Sequence, residues 1–219
     1  MANNIINQSV ISIPPPSEIV FIDAAVPDPV GLLSGIAANA LVVRLDAGQD
    51  GVTQITSVLE KHQNISAIHI LSHGAPGQLQ LGSRHLSLDN LSAYSTALFS
   101  WRDALTPDAD LLLYGCDVAQ GEGGSRFVQA LSQLTGADVA ASMNATGNMA
   151  LGGDWILEDK TGLIEYPIIL AEEEIDRYHG LLSVAGDMDL TFGDGNGYLI
   201  LSSHRTDVTV QIRNKGAKP

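Results

Sequence analysis

Five short apolar runs, each followed by an amphipathic segment, constrain the fold of this chain more than any other feature. The runs are IVFIDA, ALVVRLD, ISAIHILS, DLLLYGC and ADVAAS, at 19–24, 40–46, 65–72, 110–116 and 137–142. None alternates strictly between apolar and polar residues, which is typical of parallel strands buried on both faces. The pattern therefore predicts an α/β fold, a three-layer αβα sandwich around a mostly parallel sheet.

Four segments between these runs have apolar residues near helical spacing and are predicted to be helices. They cover 27–39, 51–63, 88–105 and 121–136. The stretch LGGDWILEDKTGLIEYPII, at 151–169, has Gly-Gly and Thr-Gly turns beside short strands. Those strands either complete the sheet or form an edge hairpin.

The rest of the chain differs in composition from this α/β region. Residues 1–17 are polar, end in three consecutive prolines and are interpreted as a leader or linker. We assign 18–170 to the main domain, 171–184 to an acidic linker and 185–219 to a β-rich tail, the start of a repeat region. The linker sequence AEEEIDRYHG is also compatible with a helix.

The charge balance narrows the classes of partner. The chain has 25 acidic residues against 11 Lys plus Arg, a net charge of −14. Such a chain repels nucleic-acid phosphates and anionic membrane surfaces. Its apolar runs are too short to cross a bilayer core of roughly 30 Å, so we expect no membrane insertion.

The N-terminus and the cysteine content limit the remaining possibilities. No secretory signal is recognisable at the N-terminus, which leaves the compartment open. The single cysteine, Cys116, excludes an internal disulfide and a multi-cysteine zinc site. The pair His69 and His73 has the spacing of a helical metal site, but on a strand the two lie about 13 Å apart, too far to share an ion.

Two reactive side chains follow successive predicted strands. The third run ends at His73-Gly74 and the fourth at Gly115-Cys116. Because the carboxyl ends of parallel strands meet at one edge of the sheet, we expect both side chains at the same crevice. A histidine near neutral pKa is the usual base for a thiol nucleophile. The backbone N–H groups of Gly74 and Cys116 are candidates for an oxyanion hole.

These residues resemble a known group of enzymes. Ser72-His73-Gly74 and Tyr114-Gly115-Cys116-Asp117 look like the His-Gly and Cys elements of caspase-like cysteine peptidases, the group of caspases, metacaspases and gingipains. With GCDVAQGEGG, VAASMNATG and LGGDWILE, the pattern resembles a caspase-related domain of unknown function, 4347, found near the start of large bacterial surface proteins. The resemblance covers roughly 18–170.

The resemblance implies a caspase-like fold and a cysteine endopeptidase with a Cys–His dyad, Cys116 as nucleophile and His73 as base. It implies a polypeptide substrate, among others the protein's own chain, and a place at the cell surface or outside the cell as part of a larger bacterial protein. No cofactor is required. Asp117 departs from the caspase pattern, where Arg and Gly commonly follow the cysteine, and its charge opposes thiol activation.

A substrate pocket is predicted from polar residues at the same edge. Asp23 and Asp117 would suit a basic residue before the cleaved bond, and Ser142 and Asn144 would line the pocket. The alternative for Asp23 is that it caps the following turn. The Arg177–Tyr178 bond is the candidate for self-cleavage, because it presents an Arg in a polar junction next to the tail.

Two other functions use the same residues. A non-catalytic interaction or adhesion module would keep the fold as a scaffold, with Cys116 as an inert buried thiol. An acyltransferase or another thiol hydrolase would use the same dyad. Trp101 and Trp155 are interpreted as core or rim residues, and His62, His85 and His179 as surface residues.

The tail has a weaker resemblance of its own. GDMDLTFGDGNGYLIL is similar to the opening of delta-60-type β repeats, of which one unit is present. Four of its side chains offer an alternative calcium site, although their spacing does not match an EF-hand loop; they are Asp187, Asp189, Asp194 and Asn196.

Overall fold

A mostly parallel sheet with flanking helices forms the centre of the computed structural model, which describes residues 15–27, 29, 32, 36 and 40–183. The strands within these residues are β1 (Glu18–Ile22), β2 (Leu41–Arg44), β3 (Ile65–Leu71), β4 (Gly74–Ala75), β5 (Gln78–Leu81), β6 (Arg84–Ser87), β7 (Leu105–Tyr114), β8 (Asp138–Ala141) and β9 (Asp159–Lys160). Six of them form the central sheet in the order β2-β1-β3-β7-β8-β9. All pairs in it are parallel except β8 with β9. The predicted α/β class is confirmed.

The described helices are α1 (Gly51–Leu59), α2 (Leu91–Ser100), α3 (Gly121–Thr135) and α4 (Glu172–Arg177). The N-terminus of α1 is capped by Asp50, whose side chain accepts a hydrogen bond from the N–H of Thr53. Helix α3 ends at Gly136, which has the left-handed φ of 73° common after a helix. The predicted helix over 27–39 lies largely outside the described residues.

Each face of the sheet has its own apolar core. Helices α1, α2 and α3 cover one face, with Ile55, Leu98 and Phe127 fully buried against the strands. The opposite face packs against Trp155, Tyr178 and other side chains from the C-terminal part of the domain. Because both faces are covered, the strands consist of continuous apolar runs, as the sequence pattern indicates.

A second, three-stranded antiparallel sheet in the order β4-β5-β6 was not expected from the sequence. It follows directly after His73, and β5 and β6 are joined at Gly82, which has a φ of 59°. A Cβ at position 82 would collide with the carbonyl oxygen of Gln49, so the turn requires glycine. This small sheet surrounds the carboxyl end of β3.

The acidic stretch interpreted as a linker, with a helix as the alternative, contains helix α4 and a packed segment after it. Glu174 is 9% exposed on the underside of α4, and Tyr178 and Leu182 are buried in the core. The chain divides into two compact units, Met1–Ser183 and Val184–Pro219, so this stretch belongs with the first unit. The leader, apart from 15–17, and the tail lie outside the described residues.

None of the helices among the described residues is long and apolar enough to cross a membrane.

Candidate active site

Two neighbouring strands end level with each other at the candidate site. Strands β3 and β7 pair in parallel, with Leu71 opposite Tyr114 as the last pair. His73 and Cys116 each lie two residues beyond that pair. A Cβ on Gly115 would lie only 3.0 Å from the carbonyl oxygen of Ser72, so a glycine here lets the two chain segments approach closely.

The imidazole of His73 is oriented by a backbone carbonyl. Its Nε2 lies 2.9 Å from the carbonyl oxygen of Ala25, which follows strand β1. Because a carbonyl only accepts hydrogen bonds, this contact places the ring proton on Nε2. The other nitrogen, Nδ1, is buried and has no hydrogen-bond partner among the described residues. Nδ1 is therefore the nitrogen available to accept a proton.

The thiol of Cys116 is almost sealed from solvent, since the residue is 2% exposed. Its Sγ accepts a hydrogen bond from the N–H of Thr146 at 3.2 Å and donates one to the carbonyl oxygen of Thr146 at 3.6 Å. Burial raises the pKa of the thiol to about 11. The N–H of Thr146 opposes this shift, and the charge of Asp117 adds to it. At neutral pH the sulfur is therefore a thiol.

No hydrogen bond joins Sγ of Cys116 to the ring of His73 within the residues that the structure describes. Each group has its own backbone partner, Thr146 for the sulfur and Ala25 for the ring. Transfer of the thiol proton to Nδ1 therefore needs a movement of one side chain or a bridging water.

The two predicted oxyanion-hole donors meet on one oxygen atom. The N–H groups of Gly74 and Cys116 both donate to the carbonyl oxygen of Leu182, each at 2.9 Å. Two backbone N–H groups that converge on a single carbonyl oxygen have the geometry of an oxyanion hole. A Cβ on Gly74 would lie 2.6 Å from Cγ2 of Val118 and 2.7 Å from the carbonyl oxygen of Cys116, so this position requires glycine.

The segment 180–183 lies extended between residues 146–148 and Gly74, and this space is called the groove below. The N–H of Leu182 donates to the carbonyl of Thr146, and the N–H of Asn148 donates to the carbonyl of Gly180, both at 2.8 Å. This is antiparallel strand pairing, with Leu181 opposite Gly147. On the other side of the carbonyl, Ser183 pairs in parallel with Gly74.

The carboxylate of Asp23 is hydrogen-bonded to the backbone through both oxygens. Oδ1 accepts from the N–H of Ala25 at 2.9 Å and Oδ2 from the N–H of Gly82 at 2.6 Å, and Asp23 is 1% exposed. This is the turn-capping arrangement considered as the alternative to a pocket role. Through Ala25, the cap also helps to position the carbonyl that orients His73.

The other predicted pocket residues build the loop that carries Thr146. Asp117 has a left-handed φ of 59°, and its N–H donates to the carbonyl of Asn144 at 2.7 Å. The hydroxyl of the fully buried Ser142 donates to Asn144, and the side chain of Asn144 donates to Asp154. These bonds fix the loop after β8 against the segment after Cys116. Whether they also contact a substrate side chain stays a prediction.

Among the described residues, His69 and both tryptophans belong to the packed interior. His69 is fully buried, stacks on Tyr114 and lies 3.4 Å from Glu18; burial lowers its pKa to about 4, so its ring is neutral. Trp101 and Trp155 are 1% and 3% exposed, which confirms their assignment to the core. His85 and His179 are exposed and His62 is partly buried.

Arg177 is the last residue of α4 and lies within ion-pair distance of Glu173 and Glu174. The following residue, Tyr178, is 4% exposed. The Arg177–Tyr178 bond is therefore at a helix end and not in the extended groove. Cleavage at this bond stays a prediction.

Three important contributors to the site are absent from the sequence prediction: Ala25, Thr146 and Leu182. They act through backbone N–H and C=O groups, which every residue except proline carries, so the sequence contains no signal for them. In the sequence, residues 145–148 follow β8 and indicate at most a loop near the sheet edge where Cys116 lies.

Within the described part of the chain, no group of three His, Cys, Asp or Glu side chains is placed to hold a metal ion. The alternative calcium site at Asp187, Asp189, Asp194 and Asn196 lies outside the described residues.

One family model matches the chain. It is described as a domain of unknown function, DUF4347, and it matches residues 19–182. No curated protein and no solved structure is significantly similar to the chain.

Proposed function

We propose that this chain, which belongs to the DUF4347 family of domains, is a self-processing cysteine endopeptidase with a dyad of Cys116 and His73. The observation that supports this most directly is that the N–H groups of Gly74 and Cys116 converge on one peptide carbonyl of the chain itself. A carbonyl held by two such donors, next to a thiol, is positioned as a substrate for nucleophilic attack.

In the first step, Nδ1 of His73 accepts the thiol proton and Sγ attacks the carbonyl carbon. The carbonyl oxygen becomes negatively charged, and the two N–H groups at 2.9 Å stabilise that charge. The carbonyl of Ala25 accepts from Nε2–H, so it also stabilises the imidazolium that forms. This bond orients the ring of His73, as a carboxylate does in a catalytic triad, but without the carboxylate's charge.

In the second step, the imidazolium donates its proton to the leaving amine as the peptide bond breaks and a thioester remains on Sγ. Water then attacks the thioester, with His73 as general base, and releases the new carboxyl group and the thiol. Because the pKa of Cys116 is raised to about 11, the thiolate is formed only during attack. Such chemistry suits a single cut in a linked segment better than rapid turnover.

The relation to caspase-like peptidases is part of the proposal. It is supported by the order of the motif, His-Gly at the end of one strand and Cys at the end of its neighbour. A role at the surface of a bacterial cell, in a larger protein with repeats, follows from the same resemblance. A preference for basic residues has less support, since the carboxylate of Asp23 is bonded to backbone.

A non-catalytic interaction or adhesion module is the second candidate. The observation in its favour is the state of the sulfur, which is buried, protonated at neutral pH and bonded to Thr146. An inert structural cysteine has the same properties. The two candidates differ in one testable respect: a self-processing peptidase cleaves its own chain, and a non-catalytic module leaves it intact.

The test is a time course of intact mass for the purified chain and for its Cys116→Ala and His73→Ala variants. We expect the parent chain to give two fragments that sum to its mass plus one water, and both variants to stay intact. His85→Ala, at an exposed histidine, is the matched control and should cleave like the parent. A parent chain that keeps its mass during prolonged incubation and hydrolyses no added peptide would argue for the non-catalytic module.

A further inference from the structure

We infer that the bond cut by this site is Leu182–Ser183, an inference that rests on the proposed peptidase function. The chain places the carbonyl of Leu182, and not that of Arg177, on the two N–H groups of Gly74 and Cys116. In peptide hydrolysis, the oxygen held by such donors belongs to the residue just before the cleaved bond. The next bond along the chain joins Leu182 to Ser183.

The residues before Leu182 are held as a substrate strand. Two backbone hydrogen bonds of 2.8 Å join Gly180 and Leu182 to the loop residues Asn148 and Thr146. An extended peptide that adds a strand to an exposed edge is a common mode of peptide recognition. The backbone, rather than side chains, therefore fixes the register that brings Leu182 to the donors.

Two glycines leave room for this strand. A Cβ on Gly147, which has a φ of 135°, would collide with the carbonyl oxygen of Gly180. A Cβ on Gly153 would lie 2.6 Å from Cδ2 of Leu181. Gly147 therefore leaves room for the backbone at Gly180, and Gly153 leaves room for the side chain of Leu181.

The sulfur lies beside the same backbone. The carbonyl oxygen of Thr146 is 2.8 Å from the nitrogen of Leu182 and 3.6 Å from Sγ of Cys116. Cys116 also holds the oxygen of Leu182 through its own N–H. The backbone of Thr146 thus contacts both the sulfur and the peptide of Leu182, and the backbone of Cys116 also binds that peptide. These contacts keep the reacting groups together.

The side chain of Leu182 indicates the substrate class. It is fully buried, in the apolar cluster that also contains Tyr114, Cys116 and Trp155. A cationic side chain in this position would lose its hydration among these apolar side chains. We therefore assign to this site an apolar residue before the cut and not a basic one.

The position of the bond matches the organisation of the chain. Ser183 is the last residue of the first compact unit, and Val184 begins the second. The family model ends at residue 182. Cleavage of Leu182–Ser183 would therefore leave the first unit complete except for Ser183 and separate it from the residues that follow.

The reaction balances as a hydrolysis. The bond between Sγ and the carbonyl carbon of Leu182 forms, the bond from that carbon to the nitrogen of Ser183 breaks, and the thiol proton reaches that nitrogen by way of His73. Water then supplies the hydroxyl of the new Leu182 carboxyl group and returns a proton to the thiol. No oxidant or metal takes part.

The test is N-terminal sequencing and mass measurement of the fragments from the full chain. We expect the C-terminal fragment to begin at Ser183 in the parent and in Arg177→Ala. Leu182→Arg should slow self-cleavage about tenfold or more, because it buries an unpaired charge. Leu163→Arg is the matched control, at a leucine that is 74% exposed, and should cleave at the parent rate.

The outcomes separate this inference from the function on which it rests. A Cys116-dependent fragment that begins at Tyr178, or anywhere other than Ser183, would overturn the assigned bond and leave the peptidase standing. Cys116-dependent hydrolysis of an added peptide library without self-cleavage would do the same. If the chain neither cleaves itself nor hydrolyses an added peptide, both the assigned bond and the peptidase function are overturned. Because the parent chain supplies the decisive fragment, misfolding of Leu182→Arg does not affect the result.

Discussion

The sulfur of Cys116 is buried and lies between two backbone groups of Thr146, and its pKa is raised to about 11. A raised thiol pKa means that the protonated form is favoured and that the thiolate fraction grows with pH until the pH passes that value. Reactivity toward an alkylating reagent therefore reports both the burial of the sulfur and its protonation.

We predict slow alkylation of Cys116 at pH 7 in the His73→Ala variant, which is expected to stay uncut. The rate should rise about tenfold per pH unit and show no plateau below about pH 10, because the thiolate fraction follows the raised pKa. Mass-detected alkylation with iodoacetamide between pH 6 and 11 measures this. The same variant in urea is the control and should level off near the ordinary thiol pKa of about 8.5. A plateau near pH 7 in the folded variant would contradict the raised pKa.

The sequence predicts the side chains of the site but not the backbone groups around them. His73, Cys116 and Gly74 are recognisable because their residue types are needed for the chemistry. The contributions of Ala25, Thr146 and Leu182 come from carbonyl and N–H groups, and these depend on loop conformation. Asp23 illustrates the same limit, since its residue type fits a pocket and a turn cap equally well until its partners are known.

Strands β3 and β7 position the candidate dyad, and the loop after β8 forms the groove. The strands are predictable because their apolar runs are long, and their adjacency follows from a single crossover helix between them. The small sheet of β4, β5 and β6 has no clear pattern in the sequence, because QLQLGSRHLS mixes polar and apolar residues in pieces of four. The acidic composition of helix α4 is typical of a linker as well as of a helix, and the structure shows that Glu174 in it is buried.

We predict that Gly147→Ala slows self-cleavage by about tenfold or more, because its Cβ would displace the segment 180–181 from the groove. Gly152→Ala is the matched control. Position 152 also has a left-handed φ, 84°, but a Cβ there would meet nothing within 4 Å. Both positions have a positive φ that disfavours a side chain, so thermal unfolding of each variant separates a general loss of stability from the loss of the groove.

Quantified gels of both variants, with thermal unfolding to check the fold, give the comparison. Equal cleavage rates in Gly147→Ala and Gly152→Ala would mean that the groove around Gly180 and Leu181 is not needed for the reaction.

For the whole molecule, the important point is that the proposed substrate segment belongs to the same compact unit as the candidate dyad. A linked segment has a high effective concentration at its site, and here it is already docked. The net charge of −14 also works against association of two copies at low salt. Self-cleavage is therefore expected to occur within one chain.

We predict that the rate constant for self-cleavage does not change when the protein is diluted a hundredfold, as for a first-order process. Intact mass against time at the two concentrations measures this. As a control, Cys116→Ala chains mixed with the parent chain should stay uncut during the same period. A rate that falls in proportion to concentration, or cleavage of Cys116→Ala by the parent, would indicate a reaction between chains.

In the proposed reaction, the sulfur of Cys116 attacks the carbonyl carbon of Leu182, whose oxygen accepts hydrogen bonds from the N–H groups of Gly74 and Cys116. Trapping the thioester between Cys116 and Leu182 tests this step. Self-cleavage in the presence of hydroxylamine, followed by mass spectrometry of the larger fragment, detects it because hydroxylamine converts a thioester to a hydroxamate. We expect a fragment that ends at Leu182 as the hydroxamate, and no fragment from Cys116→Ala. A fragment that ends only in a carboxylate at every hydroxylamine concentration, or one that Cys116→Ala also produces, would contradict it.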